Sequence, residues 1–160
     1  MPQEAITLTI AVVGAVFGLI GTLLGILNTW RAFDRDRVKL RVVPKRAVPV
    51  GGLDNRPRAC IDITNLSTFP ITVSQVGFLF RDSTNRGALI DPLMLDGGSF
   101  PRRLEPRTSF SVFCNPRQHL EPAFGSVRCA YAETDCGVLV EGTSAALKYM
   151  VAEANRLRVG

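Results

Sequence analysis

The hydrophobic pattern of the chain changes abruptly after its first 35 residues. Residues 6–30 carry no charged side chain, and an apolar stretch of this length is typical of a membrane span rather than a buried helix. At a rise of about 1.5 Å per residue, roughly 25 helical residues exceed the ~30 Å hydrocarbon core of a bilayer. The pattern therefore predicts an N-terminal transmembrane anchor helix over residues 1–35.

Within this predicted helix, small and polar residues recur at alternating intervals of four and three. The positions are Thr7, Ala11, Gly14, Gly18, Gly21, Gly25 and Asn28, which we call the glycine seam. A period close to 3.6 places all of them on one face of a helix. Glycine lowers helix propensity but lets helices approach closely in lipid, so the seam predicts a homo-oligomer. The alternative is that these glycines only reflect how common glycine is in membrane helices.

After residue 36 the apolar positions alternate with polar ones, as in half-buried strands. The pattern predicts a linker with the first strand over 36–46 and a β-sandwich over 47–143. The predicted strands cover 38–42, 59–64, 71–80, 108–114, 127–134 and 137–142. The alternation changes phase near Gly77, which predicts a β-bulge there. Residues 81–103 are predicted to be mostly loop, with a short apolar piece at 93–95.

Helical spacing returns at the C-terminus, where residues 144–160 form a predicted short helix and tail. Leu147, Val151, Ala154 and Leu157 lie on one stripe, and Ser144 is the expected N-cap. The predicted fold class is a single transmembrane α-helix followed by a small, mainly antiparallel β-sandwich with a short C-terminal helix.

Three segments carry a resemblance to a known group of proteins. They are "RACIDITNLSTFPITVSQVGF", "FPRRLEPRTSFSV" and "VRCAYAETDCG". Together they resemble uncharacterised bacterial and phage proteins with one N-terminal membrane helix and a small immunoglobulin-like sandwich. The resemblance extends from Arg41 to about Val140 and rests on turn and core features. It implies an immunoglobulin-like fold for this region and supplies no catalytic residue.

The distribution of charge predicts the orientation of the anchor. Residues 31–46 hold seven Lys or Arg and two Asp, whereas no Lys or Arg precedes the apolar stretch. Because positive flanks stay cytoplasmic, we expect the N-terminus outside and the C-terminal domain inside a bacterial inner membrane. The residues predicted to lie at the membrane interface are Trp30, Arg31, Arg35, Arg37 and Lys39. A cleaved signal peptide is the alternative, but a basic n-region and a small-residue cleavage pattern are missing.

The basic linker also bears on the expected partners. Its predicted contact is anionic lipid. Nucleic acid is not expected, because only Phe33 interleaves with the basic residues and the rest of the chain is nearly neutral. A second basic group, Arg102, Arg103 and Arg107, is a possible contact for an acidic protein partner, and a solvated loop is its alternative.

The four cysteines are Cys60, Cys114, Cys129 and Cys136. A cytoplasmic location predicts free thiols, and the reversed topology would allow disulfides with three possible pairings. Cys129 and Cys136 are seven residues apart, so a zinc site would need them to face each other across a hairpin. The expectation is no metal and no cofactor.

Two further motifs have weak support. Cys114 and His119 are the candidates for a catalytic pair, but no nucleophile turn accompanies them, so no catalytic residue is assigned. Asn65 begins the glycosylation pattern "NLS", which a cytoplasmic domain would not use.

These observations predict a class of function rather than a reaction. The expected function is a membrane-anchored, homo-oligomeric binding or scaffold module that recognises a protein partner at the cytoplasmic membrane face. The alternative is a membrane-active effector of the phage-exclusion or defence type, whose helices form a permeability lesion. A Cys/His enzyme is the weaker alternative.

Overall fold

The computed structural model describes residues 2–47, 58–81, 84–90, 92–94, 96–114 and 123–159. The chain divides into two compact units, residues 1–37 and residues 38–160. The first unit is helical, and the second contains two β-sheets and a helix.

The first unit is built on one uninterrupted helix, α1 (Pro2–Arg35). Its segment Ile6–Arg35 is 30 residues long and is apolar enough to cross a membrane. The large apolar side chains of this segment are exposed in the single chain, for example Phe17 at 70%. Arg35 lies in the last turn, where a cation interacts favourably with the helix dipole.

Within its described residues, the second unit has nine strands in two antiparallel sheets. The first sheet has the order β1-β2-β7-β5, formed by β1 (Leu40–Ala47), β2 (Arg58–Asn65), β5 (Leu93–Met94) and β7 (Ser109–Cys114). The second has the order β4-β3-β8-β9, and β6 also pairs with β3. Its strands are β3 (Ile71–Phe80), β4 (Arg86–Ala88), β6 (Arg102–Leu104), β8 (Val127–Thr134) and β9 (Leu139–Gly142).

One hydrophobic core receives side chains from both sheets. Ile61 and Ile63 of β2 and Val112 of β7 come from the first sheet, while Val73 and Phe78 of β3 come from the second, all with 0% exposure. The alternation of the sequence therefore predicted the buried faces of these long strands correctly. Burial of this apolar surface is the main stabilising term of the unit.

The register between β3 and β8 is irregular at two places that flank Gly77. It shifts between Val73 and Gln75, where Ser74 is the extra residue of β3, and again between Leu79 and Phe80, so the predicted irregularity lies on either side of Gly77 rather than at it. The hydroxyl of Ser74 donates a hydrogen bond to the Glu133 carbonyl at 3.1 Å. Gly77 is required for another reason: a Cβ atom there would overlap the carbonyl oxygen of Gly87 in β4.

The C-terminal helix α2 (Ala145–Val159) begins as predicted. The Ser144 hydroxyl accepts a hydrogen bond from the Leu147 amide at 3.1 Å, which makes Ser144 the N-cap. Leu147 and Val151 are buried, whereas Leu157, on the same stripe of the helix, is 66% exposed. It lies two residues beyond Asn155, whose side chain contacts Gly125 in the 3-10 turn under the helix. Met150 is buried beside Val151 instead.

The connection from β9 to α2 covers the outer edge of β1. A Cβ atom on Gly142 would overlap the Val42 carbonyl oxygen and would lie 2.6 Å from the Val42 carbonyl carbon. Two residues later in β1, the Pro44 carbonyl accepts a hydrogen bond from the Ser144 hydroxyl. Pro44 has no amide hydrogen to offer at this edge. These contacts close the edge of the first sheet where it meets the second.

Candidate functional site

The glycine seam of α1 is an open surface in the single chain. A Cβ atom built on Gly14, Gly18, Gly21 or Gly25 meets no atom within 4 Å. The described residues of the same chain therefore leave this face of the helix uncovered. Such a face permits a second helix to approach until backbone contacts backbone.

Two threonines that the sequence analysis did not single out adjoin the seam. Thr22 donates a hydrogen bond to the Gly18 carbonyl at 2.8 Å, and Thr29 donates one to the Gly25 carbonyl at 2.9 Å. Thr7 makes the same kind of bond to the Gln3 carbonyl at 3.0 Å. Thr22 and Thr29 each follow a glycine of the seam by four residues, and this spacing is the sequence signal that could have identified them. These bonds satisfy the hydroxyl protons within the helix, which lowers the cost of a polar group in an apolar environment.

The predicted interface residues fall into both units. Trp30 and Arg31 lie on α1, and the Trp30 side chain is 70% exposed. Lys39 belongs to the second unit. Its amide donates a hydrogen bond to the Ser67 hydroxyl at 2.7 Å, and its carbonyl accepts one from the Leu66 amide, also at 2.7 Å. The backbone of Lys39 is therefore fixed by the turn that follows β2.

The three arginines of the second basic group do not act as one positive cluster. Arg102 forms a bidentate ion pair with Asp96 and lies over the Phe110 ring, 4.9 Å from its centroid. Hydrogen bonding to Arg102 holds the pKa of Asp96 well below its usual range. Arg103 pairs with Glu105 at 2.9 Å.

Arg107, the third of these arginines, has a different role in the turn before β7. It has a left-handed backbone, with φ at 62°, and its amide donates a hydrogen bond to the Asn65 carbonyl at 3.0 Å. The ion pairs of Arg102 and Arg103 thus neutralise two of the three charges, while the structural role of Arg107 is carried by its backbone.

Asn65 organises the end of β2 and is completely buried. Its side-chain amide donates hydrogen bonds to the carbonyls of Phe69 (2.8 Å) and Leu104 (3.0 Å), and its side-chain oxygen accepts one from the Ser67 amide (2.8 Å). The side chain thus joins the turn after β2 to β6. In the folded domain the amide nitrogen of the "NLS" pattern is inaccessible to a glycosylating enzyme, whichever side of a membrane it faces.

The cysteines are distributed over the domain as free thiols. Cys129 contacts Glu141 at 3.4 Å, while Cys136 lies in the β8–β9 turn and contacts Thr134 at 3.1 Å. The β8–β9 register pairs Ala130 with Gly142, so Cys129 is at the far end of the hairpin from Cys136. The two therefore do not face each other as a two-cysteine zinc site requires.

Among the described residues, the remaining candidate ligands do not form a metal site. No group of three His, Cys, Asp or Glu suited to a metal occurs among the residues that the structure describes. His119 lies outside the described residues, so the candidate pair of Cys114 and His119 stays a prediction.

Burial separates the reactivities of the four thiols. It raises the pKa of Cys60 to about 11 and that of Cys114 to about 12, and it also raises the pKa of Cys129. The thiolate is the nucleophile, so these three thiols are mostly unreactive at neutral pH. Cys136 is the exposed one.

We expect a maleimide reagent to label only Cys136 in the folded, detergent-solubilised chain at pH 7. Cys136→Ser should abolish that labelling, whereas Cys60→Ser should leave it unchanged. Mass spectrometry of the labelled peptides measures both results, and unfolding in urea should make all four thiols reactive. Fast labelling of Cys60 or Cys114 without denaturant would contradict the burial on which the expectation rests.

A polar cluster lies on the face of the first sheet opposite to the core. Asp62 pairs with Lys45 and accepts a hydrogen bond from the Ser111 hydroxyl, with Cys60 at 3.9 Å. Burial opposes the ionisation of Asp62, but the bonds from Lys45 and Ser111 outweigh it and lower the pKa of Asp62. The carboxylate is consequently an ionised acceptor that ties three strands together.

Comparison with known proteins adds no family to this picture. No family model, curated protein or solved structure matches the chain. Function is therefore inferred from the residues and their arrangement alone.

Proposed function

We propose that this chain is a single-pass protein of the bacterial inner membrane that assembles into a parallel homo-oligomer of more than two copies through the glycine seam. Its C-terminal domain, an immunoglobulin-like β-sandwich, then presents a binding surface to a protein partner at the cytoplasmic face. The proposed role is a scaffold or recognition module and includes no catalytic step. The observation that carries the proposal is the uncovered seam, where four glycines share one face of α1.

The membrane span is supported by length and composition. The segment Ile6–Arg35 is long and apolar enough to cross a bilayer, and its side chains are not buried by the rest of the chain. Exposing this much apolar surface to water is unfavourable, and lipid removes the penalty. The basic residues that follow the segment favour a cytoplasmic location for the domain.

Oligomerisation is supported by the energetics of helices in lipid. Apolar side chains gain nothing by leaving the lipid tails, so association depends on close packing and on polar groups finding partners. The seam provides both, because the glycines remove side chains and Asn28 carries a carboxamide at one end. A repeat that averages 3.5 residues favours a left-handed crossing of the helices.

The immunoglobulin-like architecture is supported by two antiparallel sheets that contribute to one core. The sequence resemblance to bacterial and phage membrane proteins with such a domain is consistent with it. Recognition of a partner is proposed because a binding role needs only a rigid surface, and that surface would be repeated around the oligomer.

The double substitution Gly18→Leu/Gly21→Leu tests the proposal. Two leucines on the seam would hold neighbouring helices apart, and we expect the detergent-solubilised chain to change from oligomer to monomer. Analytical ultracentrifugation and crosslinking in membranes measure the change. The matched control is Val12→Leu/Val16→Leu, which adds bulk to the opposite face of α1 and should leave the mass unchanged. A double glycine variant with the wild-type mass would show that the seam is not the interface.

A membrane-active effector is the second candidate, and the threonines beside the seam favour it. Thr22, Thr29 and Asn28 would give an assembly of several copies a polar strip along its axis. Reconstitution into liposomes separates the candidates. Ion leakage that Gly18→Leu/Gly21→Leu abolishes would support the effector, whereas a sealed bilayer would support the scaffold.

A further inference from the structure

Tyr131, in the middle of β8, is buried in an unusual way. Its side chain has 0% exposure, yet its hydroxyl oxygen has no hydrogen-bond partner among the described residues. Tyr131 is also separate from the common core, to which its strand neighbours Ala130 and Ala132 contribute. A buried hydroxyl without a partner lowers stability relative to phenylalanine, so this oxygen requires an explanation.

The strand register shows which residues neighbour Tyr131 on its face of the sheet. Side chains on one face of a sheet form rows, and Tyr131 shares its row with Gly77 of β3 and Glu141 of β9. Arg86 belongs to the next row on one side, because it is paired with Leu79. Glu133 belongs to the next row on the other side, because it is paired with Gln75.

An ion pair joins these two outer rows. Arg86 Nη1 lies 3.2 Å from Glu133 Oε2, so the pair spans the row that contains Gly77 and Tyr131. The side chains of Arg86 and Glu133 are 50% and 28% exposed. Burial raises the pKa of Tyr131, and the carboxylate of Glu133 raises it further while Arg86 lowers it. The phenol is thus a neutral donor in the row between the two members of a partly exposed ion pair.

We infer that Arg86 and the Tyr131 hydroxyl form a recognition point for a carboxylate of an acidic polypeptide. In the free protein, Glu133 takes the place of this carboxylate by pairing with Arg86. This inference rests on the proposed role of the domain as a binding module. A guanidinium and a phenol are both donors, and a carboxylate has two oxygens that can accept from them together. Glu133 provides this acceptor to Arg86 but leaves the hydroxyl unsatisfied.

The exchange is energetically accessible. A solvent-exposed ion pair contributes roughly 0–1 kcal/mol, which corresponds to a factor of up to about five in an equilibrium constant. An incoming carboxylate that pairs with Arg86 replaces this interaction with a similar one. In the proposed exchange it gains the bond from Tyr131 in addition, because Glu133 moves away and the hydroxyl becomes accessible.

The test measures binding of fluorescent poly-L-glutamate to the full-length, detergent-solubilised chain by anisotropy at low salt. Glu133→Gln should tighten binding about two- to fivefold because it removes the internal competitor. Glu141→Gln is the matched control: it makes the same change in charge at another exposed pair, Arg128–Glu141, in the row of Tyr131. The control should tighten binding much less.

Two further variants assign the gain to the proposed donors. Adding Arg86→Gln to Glu133→Gln should abolish the gain in affinity for poly-L-glutamate. Adding Tyr131→Phe to Glu133→Gln should reduce that gain. Tyr131→Phe alone should leave the unfolding midpoint unchanged or raised, because no bond is lost. The inference is overturned if Glu141→Gln and Glu133→Gln act equally, if Tyr131→Phe leaves the gain intact, or if it lowers the midpoint. Oligomer mass is unaffected by any of these results, so a failure here is distinguishable from a failure of the seam.

Discussion

Replacing Asn65 with leucine is expected to destabilise the C-terminal domain by about 3–5 kcal/mol, a large fraction of the ~5–15 kcal/mol of a typical domain. The substitution leaves the carbonyls of Phe69 and Leu104 and the amide of Ser67 buried without their partner. Each unsatisfied buried group costs about 1–3 kcal/mol. Asn65→Asp should also be destabilising, because a carboxylate cannot donate to the two carbonyls.

The control for Asn65 is Asn155→Leu. Asn155 is exposed and donates one hydrogen bond, to the Gly125 carbonyl at 3.0 Å, so we expect its loss to cost about 1 kcal/mol or less. Urea unfolding of the full-length chain in detergent, followed by near-UV circular dichroism of the tyrosines, measures both variants. Tryptophan fluorescence does not report on the domain, since the single tryptophan is Trp30 in α1. Equal losses for the two asparagines would contradict the role assigned to Asn65.

Gly142→Ala is expected to have an effect of comparable size, about 3 kcal/mol or more, through overpacking of backbone against backbone. The added Cβ would overlap the Val42 carbonyl oxygen. Neither group can rotate away as a flexible side chain would, so β9 and the start of α2 must move off β1. The hydrogen bond from Ser144 to Pro44 would then weaken as well.

The control for Gly142 is Gly14→Ala in α1, where the new Cβ meets nothing within 4 Å of the same chain. We expect it to leave unfolding of the domain unchanged, because alanine has the higher helix propensity and the site belongs to the other unit. Hydrogen exchange of the β1 amides offers a local readout of the Gly142 variant. Wild-type protection of β1 in Gly142→Ala would show that the close contact is dispensable.

The long elements were predictable from the sequence because their signals are periodic. The alternation of β2 and β7 located their buried faces, and Ser144 marked the start of α2. β4, β5 and β6 have only two or three residues each, too few for a period to be recognised, so residues 81–103 were predicted to be mostly loop. Leu157 lies on the apolar stripe of α2 but is exposed. The spacing of apolar residues along a helix does not show where the elements that pack against it end.

The candidate sites depend more strongly on tertiary contacts. The seam is local to one helix, so the spacing of its glycines was sufficient to find it. By contrast, the pairing of Arg102 with Asp96 and of Arg86 with Glu133 depends on how loops and strands meet. A possible contact for a protein partner was predicted at Arg102, Arg103 and Arg107. The acidic partners of Arg102 and Arg103 within the chain could not be assigned from composition.

The closed edge of β1 has a consequence for the stoichiometry of any assembly. A sheet with a long open edge can add strands of further copies without limit, as fibres do. Here Gly142 packs against the Val42 carbonyl and Ser144 bonds to the Pro44 carbonyl at the outer edge of β1, and the opposite edges described consist of strands with two or three residues. Polymerisation through the sheets is thereby disfavoured. In the proposed oligomer, the number of copies would then be determined by how many helices can pack around one axis, which favours a finite ring over a filament.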